Sequence, residues 1–287
     1  ILFCILILTE GDSAKATAIS GISSLKNGRN YYGVFPLKGK LLNVREASIK
    51  TINKNDEISN LKKIMGFKSN VVYTKENLGS LRYGSIMLMM DADEDGSHIK
   101  GLVLNFLNYF YPSLVKIDGF IKVLITPVVK ATYRDKILTF KNTSSYLSWR
   151  GSNDVKKYKI KYYKGLGTST SKEAAEYFTN LVNHTQYLIS GKDDIPHPDL
   201  ELAFNKKLAD KRKSWLRQYD MEKRIEFQPE MTIDLHQFIH LEMKHFSNYD
   251  NIRSIPVMID GFKPSQRKVI YACIKRNLFD EIKVAQL

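Results

Sequence analysis

Cysteine is almost missing from this chain: there are two in 287 residues, Cys4 and Cys273, and neither has a partner at zinc-ligand spacing. That excludes a disulfide framework, a zinc ribbon and a Cys-x-x-Cys redox centre, and it points to a reducing, intracellular setting. Long apolar runs are missing as well. The longest, Ile1 to Leu8, falls far short of the roughly 20 residues that cross a bilayer, and it ends in an acid. It lacks the basic leader and small-residue cleavage site of a signal peptide. Acidic side chains are the third shortage, since 30 Asp and Glu against 44 Lys and Arg leave a formal charge of +14. A surplus of that size selects a polyanionic partner, nucleic acid ahead of an anionic membrane, and the short apolar run argues against the membrane. The six histidines are scattered, and only His98 falls in a motif, as a residue near a helix start. An apolar content of 43% in a chain of this length supports one large or two small domains with a real core.

The acids that are present sit in telling places. Ile86-Met87-Leu88-Met89-Met90 has the length and composition of a buried strand, and it runs into Asp91-Ala92-Asp93-Glu94-Asp95-Gly96. Carboxylates at alternate positions beyond the end of a strand suit a divalent cation. The same spacing opens a calcium-binding EF-hand loop, but position twelve would be Leu102 where a bidentate Glu is required, and a strand precedes it rather than a helix. A second acidic element repeats the architecture. Ile1 to Leu8 leads into Thr9-Glu10-Gly11-Asp12-Ser13-Ala14, and then a helix, giving strand, acid, glycine turn and helix. In an open α/β sheet, ligands gather at the carboxyl ends of the strands, so two such strands side by side would bring Glu10 to Asp91 and Asp93. Helix capping is the competing role, evenly balanced for Asp12 and weaker for Glu10.

Five separated blocks carry a resemblance. Glu10 to Ala14, Pro36-Leu37-Lys38-Gly39-Lys40-Leu41-Leu42-Asn43-Val44, and Asp91 to Gly101 resemble the Toprim domain of type IIA DNA topoisomerases. Lys161 to Ser169, and Asp260 to Val269, are similar to two further blocks of that family in the same order, and the wording is closer to the eukaryotic and large-DNA-virus branch than to bacterial gyrase. The resemblance covers essentially the whole chain. It implies an α/β Toprim domain with a Rossmann-like parallel sheet over residues 1–145, a mainly helical basic connector over 146–230, and a truncated winged-helix DNA-binding segment over 231–287. It implies two-metal chemistry, with Glu10, Asp91, Asp93 and Asp95 as catalytic metal ligands, Mg²⁺ as the ion with Mn²⁺ as a substitute, and Glu10 also moving a proton. Oxygen-only ligands favour those ions over zinc.

The resemblance further implies double-stranded DNA as substrate, a homodimeric, ATP-dependent enzyme, and no membrane partner. The location would be the nucleus in a eukaryote, or the replication site or virion of a virus. It marks the chain as a central fragment, with the ATPase domain upstream and the nucleophilic tyrosine downstream. Tyr271, in a helical apolar pattern, is then a packing residue. A Toprim primase or nuclease, or a relative that binds DNA without cutting it, are the alternative readings. The block at Gln266-Arg267-Lys268 and the full set of four acids argue against them.

The basic residues divide by motif. Lys38-Gly39-Lys40 follows Pro36, so a glycine that lets a backbone approach a phosphate is flanked by two charges. The family carries Arg at the position of Lys38, and the substitution keeps charge but loses the bidentate fork. Lys40 and Asn43 match the family and are expected DNA contacts, whereas Lys50 and Lys54 read as solvated surface. Lys164, Ser171 and Lys172 surround a glycine-punctuated loop and a helix N-terminus, where a phosphate could bind. Arg267, Lys268 and Lys283 are implied to grip the cleaved segment.

Overall fold

The computed structural model describes residues 3–191 and 196–287; Ile1 and Leu2, at the start of the expected first strand, lie outside the described residues. In chain order the principal elements begin with β1 (Ile5–Glu10), α1 (Gly11–Ser23), β2 (Tyr32–Leu37), α2 (Asp56–Met65), β3 (Ser85–Met89), α3 (Glu94–Phe110) and β4 (Ile121–Leu124). They continue with β5 (Val129–Tyr133), β6 (Lys136–Phe140), β7 (Lys159–Tyr162), α4 (Ser171–Thr179), β8 (Thr185–Ile189), α5 (Pro198–Phe204) and α6 (Ala209–Arg217). Last come β9 (Thr232–Asp234), α7 (Lys244–Ser254) and α8 (Pro264–Lys275). A six-stranded sheet has the order β2-β1-β3-β4-β8-β9, and a three-stranded sheet has the order β6-β5-β7.

Strands β2, β1, β3 and β4 are parallel, and β8 turns against β4. Side chains alternate across this sheet. Leu6, Leu8, Ile86, Leu88 and Met90 enter the larger core, while Ile7, Met87 and Met89 enter a second core on the opposite face. A parallel sheet covered on both faces has no room for polar residues, which is why its strands read as unbroken apolar runs. The register pairs Thr9 with Met89, so the chain leaves both central strands at the same level, and Glu10 and Asp91 emerge together.

Local rules set the helix limits. Asn55 caps α2 by accepting the Ile58 N–H, and Gly66 closes it at φ 75°. Helix α3 begins at Glu94, directly behind the acids Asp91 and Asp93, and stops at Phe110, because Tyr111 precedes Pro112 and is pushed out of helical geometry. In the mainly apolar run from Phe120 to Ile125, only Ile121–Leu124 forms the strand β4.

Two expected domain edges fall inside packed structure. The one at 145/146 lies within the small sheet, whose central β5 pairs with β6 before that edge and β7 after it. The one at 230/231 lies just before β9, which pairs with β8 and completes the large sheet. Ile233, Leu235, Phe238 and Ile239 are buried in the main core, so residues 232–254 pack with the Toprim-like sheet. Helix α8 is different: none of its residues is buried, and Tyr271, expected as a packing residue, is 62% exposed.

Candidate metal centre and nucleic-acid interface

Glu10 and Asp91 meet at the carboxyl ends of β1 and β3. The Glu10 Oε2 accepts the Asp91 N–H at 3.2 Å, and the Asp91 Oδ1 accepts the Leu166 N–H at 2.8 Å. Leu166 arrives on the loop of the Lys164-Gly165-Leu166-Gly167 block, which Thr17 of α1 holds through a 3.2 Å bond to the Leu166 carbonyl. Gly165 makes the approach possible. A Cβ there would lie 2.3 Å from the Asp91 Oδ2, closer than any side chain tolerates. Sequence reasoning gave this loop to a phosphate; its backbone instead cradles an acid of the metal site.

Burial raises the pKa of Glu10, and repulsion from Asp91, Asp93 and Asp95 adds to it. Burial likewise raises Asp91, with Asp93 contributing, against the opposing Leu166 hydrogen bond. Asp93 is exposed and caps α3, its Oδ1 accepting the Gly96 N–H at 2.8 Å. Asp12 lies exposed in the first turn of α1, where the helix dipole favours an acid, and Glu10 stands at that helix's N-cap position without a side-chain cap bond. Glu10, Asp91 and Asp93 are not among the donor sets that converge to within 4.8 Å in the described residues. Like charges on neighbouring strand ends hold one another off. All-oxygen donors, partial burial and uncompensated repulsion fit a hard divalent cation, which would neutralise all three.

Asp95 departs from the expected ligand set. Both of its oxygens are taken: the Lys40 Nζ donates to Oδ1 at 2.7 Å, and Arg253 donates through Nη1 to Oδ2 at 2.6 Å and through Nη2 to Oδ1 at 2.8 Å. The bond from Arg253 and the charge of Lys40 hold its pKa far below the carboxylate range. Phe246 packs beneath this group, with Lys40 4.8 Å and Arg253 5.8 Å from its ring centroid and His98 stacked on it at 3.9 Å. Burial lowers the pKa of His98 to about 4. Arg253, in the last turn of α7, lies outside every motif and was missed. Only its distance of three residues from Asp250, with which it also pairs, hinted at a fixed side chain.

The expected DNA contacts sort into free and engaged. Lys38, Gly39 and Lys164 are exposed, and Gly39 has φ 89° with nothing within reach of a Cβ. Asn43 is engaged internally: its Nδ2 donates to the Phe204 carbonyl at 2.8 Å, and its Oδ1 accepts from Asn105 at 3.0 Å. This places it in a network around the buried Arg45, which also bonds Asn105, Asn108 and Glu201. Both ends of the Asn43 amide are thus bonded within the protein. Ser171 and Lys172 are exposed at the start of α4, but that terminus is already capped: Thr170 and Glu173 form a capping box, and the Glu173 Oε2 also accepts from Lys161. A carboxylate held at a helix N-terminus competes with a phosphate for the same dipole. Arg267 forms a two-pronged pair with Asp260, at 2.9 Å through both nitrogens, and Lys268 and Lys283 are exposed. Beside the acids opens a cavity of about 600 Å³, walled by Asp91, Asp93, Lys100, Lys141, Tyr163 and Arg224 among others.

Comparison with known proteins agrees with this geometry. Residues 5–123 match the Toprim domain, residues 124–251 the C-terminal associated domain of Toprim, and residues 253–287 the A-type subunit of DNA gyrase/topoisomerase IV. The chain is 50% identical to a DNA topoisomerase 2 of Bombyx mori and 48% identical to DNA topoisomerase 2-alpha of Rattus norvegicus, in each case over 99% of this chain and 19% of the relative. A crystal structure of the Plasmodium falciparum topoisomerase II DNA-binding, cleavage and re-ligation domain superposes with a TM-score of 0.87 at 44% identity, covering 99% of this chain and 38% of that one. The chain thus spans about a fifth of the length of the curated relatives it matches. Among the described residues no helix is long and apolar enough to cross a membrane.

Proposed function

The chain belongs to the type IIA DNA topoisomerase family, through its Toprim domain and that domain's associated region, and from this premise we propose that it serves metal-assisted cleavage and rejoining of double-stranded DNA. The whole enzyme would change DNA topology by strand passage, as a homodimer that consumes ATP at another domain, in an intracellular compartment and in the nucleus of a eukaryote. The observation that carries the reading is the meeting of Glu10 and Asp91 at adjacent strand ends, where burial and repulsion from neighbouring carboxylates raise both pKa values.

Glu10, Asp91 and Asp93 would hold Mg²⁺, or Mn²⁺ in its place, in one or two sites. The bound ion supplies charge stabilisation for the attacking and leaving oxygens of a phosphate. The residues do the rest. Glu10, with its pKa raised by burial, is suited to hold and return a proton at its carboxylate. The Leu166 N–H keeps Asp91 oriented, and Lys164, one residue before Gly165, puts a cation beside the acid pocket. Lys40 is held by Asp95 on the same surface, and with Lys38 it supports a phosphate contact along that edge. Asp95 belongs to this clamp in our reading, which leaves Glu10, Asp91 and Asp93 as the ion ligands.

The test is Mn²⁺ binding to the 287-residue chain, followed by paramagnetic resonance and by calorimetry. In Asp91→Asn and in Glu10→Gln the affinity should fall by on the order of a hundredfold or more, since even the outer-shell partners of metal ligands are worth about 10–100-fold. Affinity within about threefold of the parent in both variants would sink the assignment.

A further inference from the structure

Three side chains that no motif singled out converge at the far end of the large sheet. Strand β8 runs antiparallel to β4, and β9 runs parallel to β8, so β9 ends at the edge where β1 and β3 begin, opposite the acid pocket. A helical rod over 235–254 then returns along the sheet. It comprises an α-helical turn at Leu235–Gln237, a π-helical stretch at Phe238–Met243, and α7. Seventeen residues of this rod separate His236 from Arg253, about 25 Å at 1.5 Å per residue. The convergence is therefore remote from the acids.

His236 and His240 are one turn apart on one face, their rings 4.2 Å apart. Both point at Asp199 of α5. The Asp199 Oδ2 lies 3.0 Å from the His236 Nδ1, and its Oδ1 lies 3.1 Å from the His240 Nε2. The three donor atoms all lie within 4.8 Å of one another, and among the described residues no other set of three does so. Asp199 is nearly buried, with 11% of its side chain exposed, whereas His236 is 51% exposed, so the group has a fixed floor and an open mouth. Bonds of about 2.0–2.1 Å to a tetrahedral ion span edges of roughly 3.3 Å, and the two separations observed, which end on the two different oxygens of Asp199, lie a few tenths below that. Nitrogen with one oxygen is the donor set of borderline transition-metal ions and not of Mg²⁺. His197 is nearby but committed, its Nδ1 accepting the Asp199 N–H at 3.3 Å and its Nε2 facing the Ser190 carbonyl at 3.1 Å.

We infer that Asp199, His236 and His240 form a binding site for one divalent ion of the zinc class, clipping α5 to the start of the rod, with its fourth position open to water. The neighbouring Trp215 of α6 governs how tightly that site loads. Its Nε1–H donates to the His240 Nδ1 at 3.0 Å, so His240 carries its own proton on Nε2 and gives it to Asp199. Loading needs the Nε2 lone pair. The proton must move to Nδ1, where it meets the Trp215 donor, or leave altogether. Among the described residues no such donor meets the His236 ring, which at 51% side-chain exposure can carry its proton on Nε2 towards solvent. Trp215 therefore opposes loading, and removing its N–H strengthens binding.

This inference stands apart from the proposed function, because it uses none of the acids at the sheet's other end. The experiment uses the 287-residue chain carrying Asp91→Asn, so that the acid pocket does not compete. Co²⁺ serves as a spectroscopic probe of tetrahedral nitrogen and oxygen coordination, and Zn²⁺ is titrated against a chromophoric chelator. One equivalent of Co²⁺ should develop visible absorption bands that Zn²⁺ bleaches. His236→Asn, at a half-exposed position, should weaken Zn²⁺ binding by more than about tenfold. Trp215→Phe should tighten it. Absence of the bands, or bands that survive unchanged in His236→Asn and in Asp199→Asn, would overturn the site.

Discussion

Asp91 and Asp95 stand four residues apart in one motif and live in opposite electrostatic regions. Asp91 faces Glu10 and Asp93, receives a backbone N–H from the loop at Leu166, and is held above its ordinary value of 3.8. Asp95, on the first turn of α3, is gripped by Arg253 and Lys40 and is held far below it. The difference teaches that motif spacing fixes which end of the sheet an acid reaches, while its partner depends on elements far away in sequence. Arg253 lies 158 residues from Asp95, and Leu166 lies 75 from Asp91. One region is an uncompensated repulsion waiting for a cation; the other has its cations built in.

The largest effect should come from Gly165→Ala, which attacks the first region sterically. Its Cβ would collide with the Asp91 carboxylate at 2.3 Å, so either the loop retreats and the Leu166 N–H is lost, or the carboxylate turns away. Overpacking of this kind costs about 1–3 kcal/mol, and divalent-ion affinity should drop with it. The comparison breaks if urea unfolding of Gly165→Ala matches the parent and Mn²⁺ affinity is unchanged. The same substitution at Gly39, where a Cβ has open space but φ is 89°, serves as a control for backbone strain without a clash.

Most of the acid end was legible in the sequence because strand-length apolar runs and the acids beyond them are local facts. Parallel pairing of β1 and β3 then follows from their burial on both faces. Asn43 and Arg253 were not legible, because a side chain's partner is settled by packing between distant segments. Asn43 sits in a block of basic residues, yet its amide closes a network to Phe204 and Asn105, and Arg253 sits in no block at all. The strand β9 was hidden for a related reason. At three residues, Thr232–Asp234, it carries too little alternation to show a period, and only its pairing with β8 makes it a strand.

An intermediate effect should distinguish the second region. Asp95→Asn removes the charge that draws Arg253 and Lys40 together. A two-pronged charged pair is worth more than a neutral hydrogen bond, but the partners are about 30–40% exposed and solvent screens them. The expected loss is about 1 kcal/mol of stability, with Mn²⁺ affinity within about threefold of the parent. Hydrogen exchange over α7 should quicken near Arg253. A loss of metal affinity as large as that of Asp91→Asn would return Asp95 to the ligand set and erase the contrast between the two regions.

The smallest effect, and the one that separates the regions by sign, is the pH dependence of stability without divalent ions. For Glu10 and Asp91 the folded state holds its proton more tightly than the unfolded state, since burial and repulsion from neighbouring carboxylates raise both pKa values. Their contribution is unfavourable at neutral pH. It is relieved as pH falls through the raised values towards the ordinary 4.5 and 3.8. For Asp95 the folded pKa is depressed, so its favourable contribution is complete above about 3.8 and is lost as pH falls below that. Between neutrality and about pH 4.5 the first pair opposes His98, His184 and His245, whose pKa values burial lowers and which therefore make stability fall on acidification. Asp91→Asn should steepen that fall relative to the parent. Asp95→Asn should leave the profile above about pH 4.5 as it is in the parent and change the curve only below about pH 4, where Glu173, lowered to about 2 with burial opposing and Lys161 and Tyr163 prevailing, also begins to lose its pairing. Each curve is read by urea unfolding with a chelator present. If Asp91→Asn and Asp95→Asn bend the profile in the same direction above about pH 4.5, the two carboxylates share one environment, and the division between them is wrong.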